Sequence, residues 1–357
     1  MRMRFAVLGC GVIGAVHART IAALAPRAEL VVAVDAVEER ARTIADTHKT
    51  DTHRVEASTS LADVLARDDV DVVTICTPSG MHADAAVAAL DAGKHVIIEK
   101  PLDVDLDAAR RVLEAERRSD RTAMVISQHR HDLASRVVHD ALTAGSFGTV
   151  TSGMALMPWW RSQGYYDSGD WRGTVEMDGG GALMNQGIHT LDLLVWFLGE
   201  PVEVFAYTGL LAHERIAVED TAVATIRFAS GALGIVHGTT AAYPGLTTRV
   251  QVHGDRGSAV IDHNQLVYFH AAGDGDEIRA HGVAGGGNQA EERIAAAAPV
   301  DRTTSHSEQF EDFLDAVEQG RPPLVTVETA ARTLAVIRAI YTSAEAGRPV
   351  TIKELNV

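Results

Sequence analysis

Apolar runs and amphipathic stretches alternate through the first third of the chain. Arg4–Leu8, Leu30–Val34, Val70–Cys76, His95–Glu99 and Ala123–Ser127 read as strands. Leu30–Val34 is apolar throughout, the mark of a strand buried on both faces of a parallel sheet. Gly14–Leu24, Glu38–Asp46, Met81–Ala92 and Asp105–Arg118 read as helices, and Gly93 sits just past the end of the third. This alternation predicts a doubly wound parallel α/β sheet over residues 1–127.

From about residue 130 the pattern changes. Leu133–Ala144 reads as a helix that leads into Gly148–Ala155. Strands then dominate: Val202–Tyr207, Thr221–Phe228, Ala232–Gly238, Thr248–His253, Gly257–Ile261 and Leu266–Phe269. Gly231 and Asp255–Gly257 mark hairpin turns, and Asn185–Leu198 is a helix inserted before the strands. Residues Ala271–Arg302 are rich in Gly and Ala, lack periodicity and read as a mobile loop or lid. Two helices, Ser307–Gln319 and Val327–Ala346, close the chain, the last of them able to pack back on the first domain. Residues 128–357 are therefore expected to form an α+β domain around a mostly antiparallel sheet.

Length and composition agree with two domains. A chain of 357 residues exceeds one ordinary core, and 46% hydrophobic residues can fill two. The formal net charge of −16 repels phosphodiester backbones and anionic lipid, so neither nucleic acid nor a membrane surface is an expected partner. The two cysteines, Cys10 and Cys76, are too few for a disulfide scaffold and read as buried, reduced thiols. Arg2 and Arg4 precede an apolar run as in a secretion signal, but Gly9, Gly11, Gly14 and His17 interrupt it. No apolar stretch reaches bilayer-spanning length, and a cytoplasmic location is expected.

The interrupting glycines carry the first chemistry. Gly9-Cys10-Gly11-Val12-Ile13-Gly14 fits G-x-G-x-x-G between a strand and a helix, the context that makes this motif a dinucleotide site. Gly9 permits the tight turn, Gly11 lets a pyrophosphate approach, and Gly14 lets helix and strand pack closely. The helix start, including Val12 and Ile13, presents unpaired N–H groups to the phosphates. Asp35 ends the second strand, 21 residues after Gly14. A carboxylate there accepts from a ribose 2′-hydroxyl and repels a 2′-phosphate, and Ala36 follows where an arginine would favour one, so NAD is favoured over NADP.

Two further segments supply candidate chemistry. Glu99-Lys100-Pro101 stands at the carboxyl end of a predicted strand, where open parallel sheets bind ligands. Lys100 could there stabilise a developing alkoxide, although position alone leaves a solvated lysine equally open. The glycine run Gly179-Gly180-Gly181 leads into Asn185 and His189, which share a helix face, with Asp192 further along. That run would let the backbone come close to a ligand. His189 titrates near neutrality and could take a hydroxyl proton; a hydrogen-bonded core histidine is the alternative. Trp159, Trp160, Trp171, Tyr165 and Tyr166 crowd one stretch with Arg161 and Arg172 among them. Aromatic faces beside fixed polar groups suit a sugar, and equally suit sheet packing or a subunit contact. His129 and His131 lack a third ligand at metal-like spacing, so no metal is expected; a substrate or cofactor contact from Gln128 or Arg130 is the preferred reading.

The glycine fingerprint, Thr77-Pro78-Ser79-Gly80-Met81-His82, Ala92-Gly93-Lys94-His95-Val96, Glu99-Lys100-Pro101, Gly187-Ile188-His189 and the closing Gly347-Arg348-Pro349-Val350 together resemble the glucose–fructose oxidoreductase/inositol dehydrogenase/rhizopine catabolism (Gfo/Idh/MocA) family. The resemblance implies an α/β Rossmann domain followed by an α+β domain with a large open-faced, mostly antiparallel sheet that makes a homodimer or homotetramer. It implies NAD-dependent hydride transfer at a secondary alcohol of a sugar, polyol or sugar derivative. Lys100 and His189 match the family's catalytic lysine and histidine, and Lys100–Pro101 matches a peptide that is often cis. Coenzyme contacts are implied for Thr77, Pro78, His82, Glu99, Lys100, Gln128, Trp171 and Arg172. Substrate contacts are expected from Lys100, Trp160, Arg161, Tyr165, Arg172, Asn185 and His189. Many members carry Asp where this chain has Asn185, and an amide cannot ionise, so Asp192 or Lys100 would have to support His189. Two other readings stay open: a glycoside-cleaving enzyme that uses transient oxidation, and a sensor without catalysis.

Overall fold

The computed structural model describes residues 2–50, 54–273, 282, 287–297 and 305–355. Its contacts divide the chain into two units. The first comprises Met1–Ile126, Glu176–Gly179 and Thr303–Leu334; the second comprises Ser127–Val175, Gly180–Arg302 and Ala335–Val357.

The first unit begins β1 (Met3–Leu8), α1 (Val12–Ala23), β2 (Ala28–Val34), α2 (Glu38–His48), β3 (Glu56–Ser58) and α3 (Leu61–Leu65). It continues β4 (Val72–Ile75), α4 (His82–Asp91), β5 (His95–Ile98), α5 (Leu106–Arg118) and β6 (Ala123–Val125). All pairings are parallel, in the order β3-β2-β1-β4-β5-β6, the dinucleotide-binding arrangement. The order reverses between β1 and β4, so the segments after Leu8 and Ile75 flank the ligand crevice. Every residue of β4 and β5 is buried, as consecutive apolar residues between two helical layers require. The helix Ser305–Gln319 joins this core through Phe310, Phe313 and Leu314, with Phe310 stacked on Phe5 at 6.2 Å. The edge strand β6 is covered: Gln309 donates to the Val125 carbonyl (2.8 Å), and the Val125 amide donates to Val325.

The second unit holds α6 (Leu133–Thr143), β7 (Val150–Pro158), α7 (Gln163–Tyr166), a π-helical turn (Ala182–Gly187) and α8 (Ile188–Leu198). Strands β8 (Pro201–Gly209), β9 (Thr221–Phe228), β10 (Leu233–Thr239), β11 (Arg249–Gly254), β12 (Gly257–Asp262) and β13 (Gln265–Ala271) follow. Helix α9 (Ala290–Ala297) and β14 (Val350–Thr351) complete it. The eight-stranded order is β13-β12-β11-β7-β10-β9-β8-β14, antiparallel except for β7 with β10. One face is closed by α8. Gly153 on β7 permits this, because a Cβ there would meet Leu194 and Leu198 at 2.9 and 2.8 Å. The other face is open, and Tyr207, Val223, Leu233 and Ile235 stand exposed on it.

Several elements depart from the sequence reading. The span Ala271–Arg302 contains the end of β13 and the helix α9, where a loop was expected; the remainder of that span, apart from residues 272–273, Gly282 and residues 287–289, lies outside the described residues. Asn185–Leu198 is not one α-helix, because its first turn is π-wound. Short β3, α3 and β14 carry too few residues for periodicity to reveal them.

Candidate active site

In the first unit the glycine motif adopts the geometry its spacing predicts. Gly9 has φ +90, and a Cβ there would lie 2.5 Å from the Cys76 carbonyl. A Cβ on Gly14 would lie 2.0 Å from the Gly9 carbonyl, so strand and helix close on each other there. Nothing approaches the Cβ direction of Gly11, which opens to the side a pyrophosphate would take. The first intrahelical bond of α1 runs from Ala15 to Gly11, leaving the Val12, Ile13 and Gly14 amides at the positive end of the helix. Val12 is 90% exposed, an apolar residue at the crevice mouth that a bound nucleotide would cover.

Asp35 is fixed from both sides. Its carboxylate accepts from the Cys10 amide and the Val37 amide, both at 2.8 Å. The group thus orders the glycine turn from the end of β2. Both cysteines are buried and unlinked. Burial, with Asp35 beside it, pushes the Cys10 thiol up to about 12. At the end of β4, the Thr77 hydroxyl is buried with no hydrogen-bond partner, an acceptor and donor left for a ligand. The open Gly11, the free helix start and this orphan hydroxyl fit a dinucleotide.

Lys100 stands two residues after β5 and precedes a cis Lys100–Pro101 peptide. Two buried groups organise its backbone. Glu99 accepts from the Lys100 amide (2.9 Å) with one oxygen and meets His17 Nε2 (2.9 Å) with the other. Burial would raise the Glu99 carboxyl, but His17 and Lys100 hold it well below the ordinary carboxylate range. Burial would lower His17, and Cys76 together with Glu99 raises it instead. His82 places one ring nitrogen against the Pro101 carbonyl (2.7 Å) and the other against that of Thr77 (2.9 Å). His82 and Glu99 therefore brace the Lys100 turn. Pro78 opens a 3-10 turn, Ser79–Met81, leading into α4.

In the second unit His189 is the second residue of α8, half-buried, after the π turn that holds Asn185. Glu219, which the sequence reading missed, anchors that turn: its carboxylate accepts from the Gly181 and Leu183 amides (2.9 Å each) and from the Tyr341 hydroxyl (3.0 Å). Burial raises the Glu219 carboxyl despite these donors. The glycines serve this packing. A Cβ on Gly180 would meet the Tyr341 hydroxyl at 2.1 Å, and one on Gly181 the Glu219 carbonyl at 1.8 Å, so protein and not ligand occupies that space. Asp192 is tied to the core of this unit. It makes a two-pronged pair with buried Arg130 (2.7 and 2.6 Å) and accepts from Ser127. Arg130 is thereby a core residue, contrary to the expected ligand contact. Gln128 keeps a buried amide oxygen without a partner. The His129 ring stands edge to face with His189, centroids 5.2 Å apart.

The aromatic stretch is one hydrogen-bonded assembly. Arg161 donates to Gln186 (2.7 Å), Gln186 to the Tyr165 hydroxyl (2.8 Å), and Arg172 to the same hydroxyl (2.6 Å). The Arg172 guanidinium lies over the rings of Tyr165 and Trp171 at 4.3 and 4.5 Å. Trp160 meets Tyr243 edge to face at 5.3 Å. Gln186 couples this assembly to the turn before His189. Tyr166 is buried and bonds Thr240 (2.9 Å), so it belongs to the core.

Comparison with known proteins bears on this arrangement. Residues 3–127 match the family described as an oxidoreductase family with an NAD-binding Rossmann fold, and residues 135–260 match the GFO/IDH/MocA C-terminal domain. The inositol 2-dehydrogenase of Rhizobium meliloti is 30% identical over 285 residues, 77% of this chain and 80% of that protein. The chain belongs to the Gfo/Idh/MocA oxidoreductase family. The myo-inositol 2-dehydrogenase of Thermotoga maritima is 26% identical over 99% of each chain. Among solved structures, the WlbA dehydrogenase of Bordetella pertussis in complex with NADH and UDP-GlcNAcA superposes with a TM-score of 0.84, at 29% identity, covering 98% of this chain and 99% of that one.

This Gfo/Idh/MocA member is an NAD(P)-dependent oxidoreductase acting on CH–OH groups, with NAD as coenzyme. The family's two-part architecture is the one built here, a Rossmann sheet and a mostly antiparallel sheet. Among the described residues, no helix is long and apolar enough to cross a membrane.

Proposed function

We propose that this enzyme reversibly oxidises a secondary alcohol of a sugar, polyol or sugar derivative. Bound NAD supplies the hydride acceptor. Lys100 donates to the substrate oxygen and stabilises its charge, while His189 takes the hydroxyl proton. Asn185, unable to ionise, orients a hydroxyl or the imidazole. Trp160, Arg161, Tyr165 and Arg172 bind the substrate, with Trp171 and Arg172 also contacting the coenzyme. The relatives support the substrate class, since inositol is a ring of secondary alcohols. What supports the reading is, in the first unit, a Lys100 turn braced by Glu99 and His82 and, in the second, a half-buried His189 that follows the Glu219-anchored turn. We place self-association on the open sheet face bearing Tyr207, Val223, Leu233 and Ile235.

A screen for NAD reduction across sugars, polyols and glycosides tests the activity. NADH accumulating with a cyclic polyol or sugar is the expected result. Glycoside cleavage without accumulation of NADH would move the protein to the transient-oxidation class, and silence with every alcohol would contradict the reading.

A further inference from the structure

We propose that His129 and Asp132 form a proton relay that serves His189. The proposal rests on His189 taking the hydroxyl proton, and it addresses where that proton then goes.

The residues around His189 narrow the choice. Asp192, on the same helix, is neutralised by Arg130. On α6, His139 lies 4.0 Å from Asp140 and stacks on Trp196, and Arg136 is exposed. On the strands beneath α8, Arg249 pairs with Asp262, burial lowers His253, and His237 stands on β10. His129 is the ring stacked edge to face on His189. Its Nδ1 lies 2.6 Å from Asp132 Oδ2. An ionised carboxylate only accepts, so Nδ1 carries the hydrogen and Nε2 is left with a lone pair able to receive a proton.

Two more observations favour a working relay over incidental packing. Asp132 occupies the N-cap position of α6 yet makes no capping bond. A capping aspartate stabilises a helix start, and here its side chain turns to His129 instead. His129 and His189 also share a cavity of about 30 Å³, lined further by Trp159, Thr248 and Asn264. That is room for one bridging water with polar partners. The His129 and Asp132 side chains are 25% and 15% exposed, which gives the path an outlet.

The balance is simple. The alcohol O–H bond breaks and its proton goes to His189, while the carbon's hydrogen leaves as hydride to the coenzyme. His189 then passes its proton through the cavity to Nε2 of His129. Asp132 stabilises the imidazolium until a proton leaves to solvent, and both rings return neutral.

The test is histidine NMR of the full-length protein with NADH, the His189 signal being assigned by its loss in His189→Ala. In Asp132→Asn the His189 titration midpoint should fall by about half to one pH unit, because the carboxylate no longer favours the shared proton. Asp132→Glu should restore it, and NADH affinity, read by fluorescence, should not change. Superimposable His189 titrations in wild type and Asp132→Asn would overturn the relay. Kinetics supply a second reading with whichever alcohol reduces NAD fastest. His129→Phe should lower kcat about tenfold at unchanged KM, with added imidazole restoring part of it. Inactive His189→Ala beside a fully active His129→Phe would sink the relay alone. Full turnover in His189→Ala would instead sink the reading of His189 itself.

Discussion

Asp35, Glu99 and Glu219 each use a buried or half-buried carboxylate to hold backbone beside chemistry. For Asp35 the consequence is coenzyme choice. Asp35→Ser should cut kcat/KM with NAD by about tenfold and narrow the preference over NADP, as steady-state kinetics with both coenzymes would show. Equal use of the two by the unaltered protein would contradict the role. For Glu99 the consequence is pH-dependent stability. Its folded pKa lies below the ordinary value, so its contribution is complete above that value and is lost as pH falls through the folded one. His17 is shifted the other way, and its contribution is lost as pH rises through its raised folded value. Glu99→Gln, which strands His17 in the core, should cost about 3 kcal/mol at neutral pH. The gap in Tm between variant and wild type should shrink as the medium is acidified; a gap independent of pH would refute the ion pair. These residues differed in legibility. Asp35 ends the strand that follows the glycine motif, at a spacing the motif itself carries, so sequence finds it. Glu219 is 38 residues from the amide of Gly181 that it holds, and only the fold brings them together.

At the scale of elements, the segment before His189 shows why pattern reading stops short. Apolar periodicity marks a helix from 185 to 198, but it cannot distinguish an α turn from a π turn when nearly every residue is buried. The wider turn changes which residues share a face, so Asn185 does not stand one α turn below His189. The glycines were legible as special, but not their purpose. Gly181→Ala would drive a methyl into the Glu219 carbonyl and displace the turn. Turnover should fall by at least tenfold while NADH affinity, measured by fluorescence quenching, stays near wild type. Wild-type kcat in that variant would show that the turn does not position His189. The strands of the parallel sheet were easily read, because consecutive buried residues leave little ambiguity. Helix α9 was not, since its Ala-rich sequence lies in a stretch without a clear apolar stripe.

The whole molecule shows the same division. Both sheets and their order of classes follow from alternation and from the glycine motif, whereas the return of Thr303–Leu334 to the first unit is a long-range fact without a local signal. The open sheet face is a further property of the whole. Alternation puts Val223 and Ile235 outward on adjacent strands, at 44% exposure each, in a protein whose charge otherwise disperses its copies. Sedimentation should show a dimer or tetramer, and Ile235→Glu should shift it toward monomer without unfolding; a monomeric wild type would refute self-association through this face. The proposed chemistry gives Lys100 the oxygen and His189 the proton in an NAD-dependent oxidation. The most direct measurement is single-turnover NADH formation in Lys100→Ala and His189→Ala, each saturated with NAD and with the best alcohol from the substrate screen. Rates lower by about 10²-fold or more, at unchanged NAD affinity, are predicted for both. A wild-type rate in either would contradict the account.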